Sequence, residues 1–140
     1  MSNQIEVKIQ VIIHATEDSE KILKSFSDMF NIEQDKFKIQ NLTGHFENPI
    51  IVTSLTIKKV HAEKFMAKLF SKMNKNDKDS ISANLEEDIT NSGLKIRISK
   101  QKLIRGKIVL EHEDAIKITI IIPVYIKKNS VKIYRQILKI

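Results

Sequence analysis

Three stretches of the chain alternate apolar and polar side chains with a period of two. Ile5, Val7, Ile9, Val11 and Ile13 alternate with Glu6, Lys8, Gln10 and Ile12. Leu94, Ile96 and Ile98 alternate with Lys95, Arg97 and Ser99, and Ile116, Ile118, Ile120 and Ile122 with Lys117, Thr119 and Ile121. Successive side chains of a strand leave on opposite faces, so each stretch presents one apolar and one mainly polar face. A sheet made of such strands needs cover on one side only. Two helical periodicities supply that cover. Ile22, Leu23, Phe26, Met29 and Phe30 fall on one face of a helix predicted over Glu17 to Phe30, with Thr16 as its N-cap and Glu17, Asp18 and Glu20 in its acidic first turn. Ala62, Phe65, Met66, Leu69, Phe70 and Met73 mark a second helix over Val60 to Asn74.

The remaining segments fill in the order. Phe37 and Ile39 begin a short strand that runs into a loop at Thr43 to Pro49, and the β-branched run Ile50 to Ile57 is another strand. Asn74 to Ser80 is polar and reads as a connection, after which Ile81, Leu85 and Ile89 support a short helix ending near Gly93. Ser99 can cap one helical turn over Lys100 to Arg105, and Pro123 marks an edge strand or a strand end. After a turn at Lys127 to Asn129, Val131, Tyr134, Ile137 and Leu138 lie on a last helix. The order β-α-β-β-α-α-β-β-α is an α+β fold, a mainly antiparallel sheet with helices packed on one face. At 140 residues it is expected to form a single domain, 1–140.

The formal charge of +7 is unevenly spread. Residues 1–90 hold 12 Lys and Arg against 14 Asp and Glu, a net of −2, whereas residues 91–140 hold 12 against 3, a net of +9. Within the second part Lys95, Arg97, Lys100, Lys102, Arg105 and Lys107 follow one another with no acid among them. Such a run is either a solvated face or a binding surface for an anion, and asymmetry this strong favours the anion. No apolar run is long enough to span a bilayer, and the alternating N-terminus is unlike a signal peptide, so a soluble cytoplasmic protein is expected, without a membrane partner.

Catalytic options are few. The absence of Cys removes thiolate nucleophiles and cysteine metal sites, and three Gly leave no phosphate-cradling loop and no nucleotide-cofactor fingerprint. No pair of the four His has the spacing of a zinc site, so no metal or other cofactor is expected. His14-Ala15-Thr16 has the His-x-Thr form found twice in two-histidine phosphoesterases, but a second copy is missing, since His45, His61 and His112 are followed by Phe-Glu, Ala-Glu and Glu-Asp. An enzyme is therefore not expected, and no catalytic residue is assigned. The basic part holds Tyr125 and Tyr134 but none of the six Phe. Cations without interleaved aromatics suit the phosphates and 2′-hydroxyls of structured RNA better than a single strand read base by base. Phe46, in the Thr43 to Pro49 loop, is either an exposed aromatic or a loop anchor.

His14-Ala15-Thr16-Glu17-Asp18, Gly44-His45-Phe46-Glu47-Asn48-Pro49-Ile50, and Ile96-Arg97-Ile98-Ser99-Lys100-Gln101, with Gly106 and Asp114-Ala115-Ile116 beyond it, together resemble an archaeal family of small proteins described as RNA-binding and as predicted exosome subunits. The resemblance covers most of the chain. It implies a fold similar to that of the ribosomal protein that binds 5S rRNA, again an α+β sheet with helices on one face. Glu47 stands where the family has Gly, Ser99 where it tends to have Asp, and Ala115 where Pro is frequent. The first change puts an acid into the loop; the second makes the basic segment more positive.

The expectation is a non-catalytic protein that contacts the backbone of structured RNA through Lys95, Arg97, Lys100, Lys102, Arg105 and Lys107. Gln101 and Asn48 would add hydrogen bonds, and His45 would either contact a phosphate or brace its loop. Partners implied besides RNA are the exosome or other RNA-processing proteins. The alternative is a scaffold subunit of such an assembly, docking a protein through a sheet edge or the basic face.

Overall fold

The structure is a computed structural model that describes residues 5–43, 48–123 and 129–139. Its six strands are β1 (Glu6–His14), β2 (Lys38–Thr43), β3 (Pro49–Lys58), β4 (Ile89–Thr90), β5 (Gly93–Ile98) and β6 (Ile116–Ile121). They form one sheet in the order β2-β3-β1-β6-β5-β4, every neighbouring pair antiparallel. Among the described residues six helices accompany them: α1 (Ser19–Phe30), α2 (Lys59–Lys72), α3 (Lys75–Ala83), α4 (Leu85–Asp88), α5 (Lys100–Ile104) and α6 (Ser130–Leu138). The α+β architecture is the expected one. The two-residue β4, the single-turn α4 and a 3-10 turn at Gln34–Lys36 are additions to the expected order, and α5 is the helical turn expected after Ser99.

The alternation works as the sequence implies. Ile5, Val7, Ile9, Val11 and Ile13 are buried, as are Leu94, Ile96 and Ile98 of β5 and Ile116, Ile118 and Ile120 of β6. Registry places Ile9 beside Ile118 and Ile118 beside Ile96, so the three strands pool their apolar faces. Phe26 of α1, Phe65 and Leu69 of α2 and Leu138 of α6 belong to the same buried cluster. Tyr134 fixes the last helix to the end of β6: its buried hydroxyl donates to the Ile120 carbonyl and accepts from the Ile122 amide, both at 3.3 Å. Burial pushes this phenol above its ordinary value, against the smaller opposite effect of the Ile122 hydrogen bond. Because β6 is central, Pro123 marks a strand end and not an edge.

Four local expectations are corrected. The N-cap of α1 is Asp18, whose carboxylate accepts from the Lys21 amide, and the helix starts at Ser19; Thr16 lies in the preceding turn. The polar stretch Asn74 to Ser80 is largely helix, because Asn74 caps α3 by accepting from the Asp77 amide. Its pattern is silent since only Ile81 of that helix is buried. The helix read through Ile81, Leu85 and Ile89 breaks at Asn84, and Ile89 belongs to β4. Phe37 is a buried core residue placed just before β2, while Ile39 within that strand is 57% exposed.

Candidate nucleic-acid interface

Strand registry fixes which side chains share the face opposite the helices. Lys38, Ser54, Gln10, Lys117 and Arg97 lie abreast across β2, β3, β1, β6 and β5. One step along, Thr56, Lys8, Thr119 and Lys95 form a parallel row. Lys8, Lys38, Lys95 and Arg97 are exposed and Lys117 is half-buried. The one acid among the strand residues of this face is Glu6, and it faces Lys58 at 3.8 Å. That pair is open to solvent and contributes little beyond cancelling charge. Four cations, Lys8, Lys95, Arg97 and Lys117, therefore crowd three adjacent strands with no acid between them.

The basic run read from the sequence does not stay together. Lys95 and Arg97 project from β5 onto this open face. Gln101, Lys102, Arg105 and Lys107 are exposed on or just after α5, which packs against α1 on the helix side. Ser99 caps α5 by accepting from the Lys102 amide, and the chain then returns along β5, where Glu111 donates its amide to the Arg97 carbonyl. This return strap holds the backbone of Arg97 in place. Asn48 is exposed immediately before β3, and His45 and Phe46 lie outside the described residues.

Lys100 is the clear correction. Its side chain is 3% exposed, so it is not available to a phosphate. The ammonium donates to the Ile12 carbonyl at 2.8 Å, to Glu17 Oε1 at 2.9 Å and to Asp114 Oδ1 at 3.0 Å. A lysine ammonium has three hydrogens, and all three are engaged. Asp114 Oδ1 also meets His14 Nε2 at 2.9 Å, and Glu17 Oε1 accepts the His14 amide at 2.9 Å. Burial alone would raise the Asp114 carboxyl, but the hydrogen bonds and charges of His14 and Lys100 outweigh it and hold it below its ordinary value. Glu17 is thus a partner of a buried cation as well as a charge near the start of α1. His14, Glu17 and Asp114 could reach a common metal ion. The ammonium of Lys100 already bonds both carboxylates, so a metal would have to displace a buried, fully paired cation.

The cluster has an architectural meaning. β1 ends at His14, β5 runs into Lys100, β6 begins just after Asp114, and His14 pairs with Ile50 at the start of β3. The described parts of the three segments that carry the family resemblance, of which the second contributes only Asn48 to Ile50, thereby meet at one end of the sheet. Sequence reasoning missed Lys8, Lys38 and Lys117 as members of the basic face. Their signal was present, since each occupies the polar phase of a strand, but the strand order that brings them beside Lys95 and Arg97 is not written in any local pattern.

A family model described as RNA binding matches residues 6–122. RNA-binding protein PAB1135 of Pyrococcus abyssi is 33% identical over 133 residues, covering 89% of this chain and 86% of that protein. Protein AF2318 from Archaeglobus fulgidus superposes with a TM-score of 0.78 at 27% identity, covering 94% of this chain and 97% of that one. Protein SSO0741 from Sulfolobus solfataricus gives a TM-score of 0.76 at 27% identity, with 96% and 97% covered; both structures carry the family designation DUF54.

Proposed function

The chain belongs to the RNA-binding family, and from that premise we propose that it binds structured RNA through the phosphate backbone, without catalysis, on the open face of its sheet. One observation carries this reading: Lys8, Lys95, Arg97 and Lys117 share that face on three adjacent strands. Phosphates need cations held at fixed separations, and strand registry supplies them on a rigid support. Gln101, Lys102, Arg105, Lys107 and Asn48 at the sheet end would make flanking contacts. Lys100 has no direct part. RNA processing, within the exosome or a similar assembly, is the setting that the sequence resemblance implies.

The test is a salt titration by filter binding. About five neutralised phosphates predict that log affinity falls against log salt with a slope of about −4. A flat response rejects the proposal. The scaffold reading has one observation in its favour: β2 is an edge strand exposed along its whole length, with Ile39 and Leu42 in the open. A protein partner retained in a pull-down after RNase treatment would support it.

A further inference from the structure

The cations of the open face are arranged in two banks. Lys8, Lys117, Lys95 and Arg97 make one bank on β1, β6 and β5; the second is Lys38 on β2, since Lys58 on β3 is paired with Glu6. Between the banks lie uncharged hydrogen-bonding side chains, Gln10, Ser54 and Thr56, with Thr119 set into the first bank. The surface there is a shallow depression lined by Lys8, Gln10, Ser54, Thr56, Lys117 and Thr119. Strands are spaced by about 4.8 Å, so Lys38 and Lys117, three strands apart, are separated at the backbone by about 14 Å. No strand position on this face carries Phe, Tyr or Trp, and its one ring is the His14 imidazole at the end of β1, which is hydrogen-bonded to Asp114.

Resting on the RNA-binding reading above, we propose that this face takes the minor groove of an RNA duplex, the two banks meeting the phosphates of opposite strands and the polar trough meeting the 2′-hydroxyls. Three physical arguments select that ligand. With no Phe, Tyr or Trp on its strands and the His14 imidazole bonded to Asp114, the described strands offer no platform on which the bases of a single strand can stack. Ser and Thr on a flat sheet are too short to reach the floor of a DNA major groove about 8.5 Å deep, and the DNA minor groove, about 6 Å wide, is narrower than the separation of the banks. The RNA minor groove is wide and shallow and lined by 2′-hydroxyls. A 2′-hydroxyl both donates and accepts, as do the Gln amide and the Ser and Thr hydroxyls of the trough.

Fluorescence polarisation on the full chain at one salt concentration tests this with three probes: a blunt RNA duplex of about 16 base pairs, one strand of it alone, and the DNA duplex of the same sequence. The RNA duplex is expected to bind at least tenfold more tightly than either other probe. The double variant Gln10→Ala, Ser54→Ala, which changes no charge, is expected to lose about tenfold on the RNA duplex, as for two hydrogen bonds, and nothing on the DNA duplex. Lys38→Ala should weaken the RNA duplex more than the single strand. Circular dichroism of the variants checks that the fold is kept. Equal binding of single-stranded RNA or duplex DNA overturns the groove assignment while leaving backbone binding intact, as does a double variant that weakens all three probes alike. Failure to bind any RNA overturns both.

Discussion

Lys100 shows how far a residue's role depends on its neighbours. In the sequence it is one cation in a run of six; in the structure it is a buried tie between residues 83 and 14 positions away, Glu17 and Asp114. Nothing local distinguishes it from Lys102, because the carboxylates that engage it come from the end of β1 and the start of β6. Removing the ammonium strands Glu17, which is mostly buried, and relaxes Asp114, which is half exposed and better screened. Lys100→Met should therefore destabilise the fold by about 2 to 3 kcal/mol in urea unfolding, below the full cost of breaking a buried pair, and Glu17→Gln added to it should restore part of the loss. Asp114 gives a pH dependence of known sign. Its folded carboxyl lies below the ordinary value of 3.8, so its stabilisation is present above that value and is lost as pH falls through the lower folded one. The urea midpoint should drop on acidification below about pH 4, and Asp114→Asn should flatten that drop.

Elements with a strong period are legible in the sequence, and those without one are not. β1, β5, β6 and α1 follow from alternation or helical spacing because each buries one regular face. α3 escapes that logic: one buried residue in nine leaves no stripe, and the helix is specified by its Asn74 cap and by Asp77, which also accepts the Leu110 amide. Gly93 is not a helix stop but the first residue of β5, held at φ +105°. A Cβ there would sit 2.4 Å from the Ile120 carbonyl oxygen, and neither backbone can yield without opening the β5–β6 ladder. Gly93→Ala combines that clash with a disfavoured backbone region, and should cost about 2 to 4 kcal/mol, lowering Tm by roughly 5 to 12 °C in a thermal melt.

For the whole molecule the question is which surface meets RNA. The open face and the end of the sheet around α5 both carry cations, on paired strands in the first and on or just after a single-turn helix in the second. Lys95→Ala with Arg97→Ala should reduce the salt slope by about 2 and weaken all structured RNAs alike, since phosphate contacts carry no sequence information. Lys102→Ala with Lys107→Ala should change the slope by less than 1 if those residues only flank the site. Comparing the two titrations separates the faces. The sequence by itself determined the strand phases, the one-sided core and the excess of cations, because side-chain alternation is a local property of extended backbone. Strand order was decided only in the tertiary structure. Lys8 and Lys95, far apart in the chain, stand in one row because β6 pairs with both their strands, and Lys100 leaves the surface because that packing brings two carboxylates to it. Which charges share a face, and which are neutralised within it, depends on contacts between distant segments, and no local pattern encodes them.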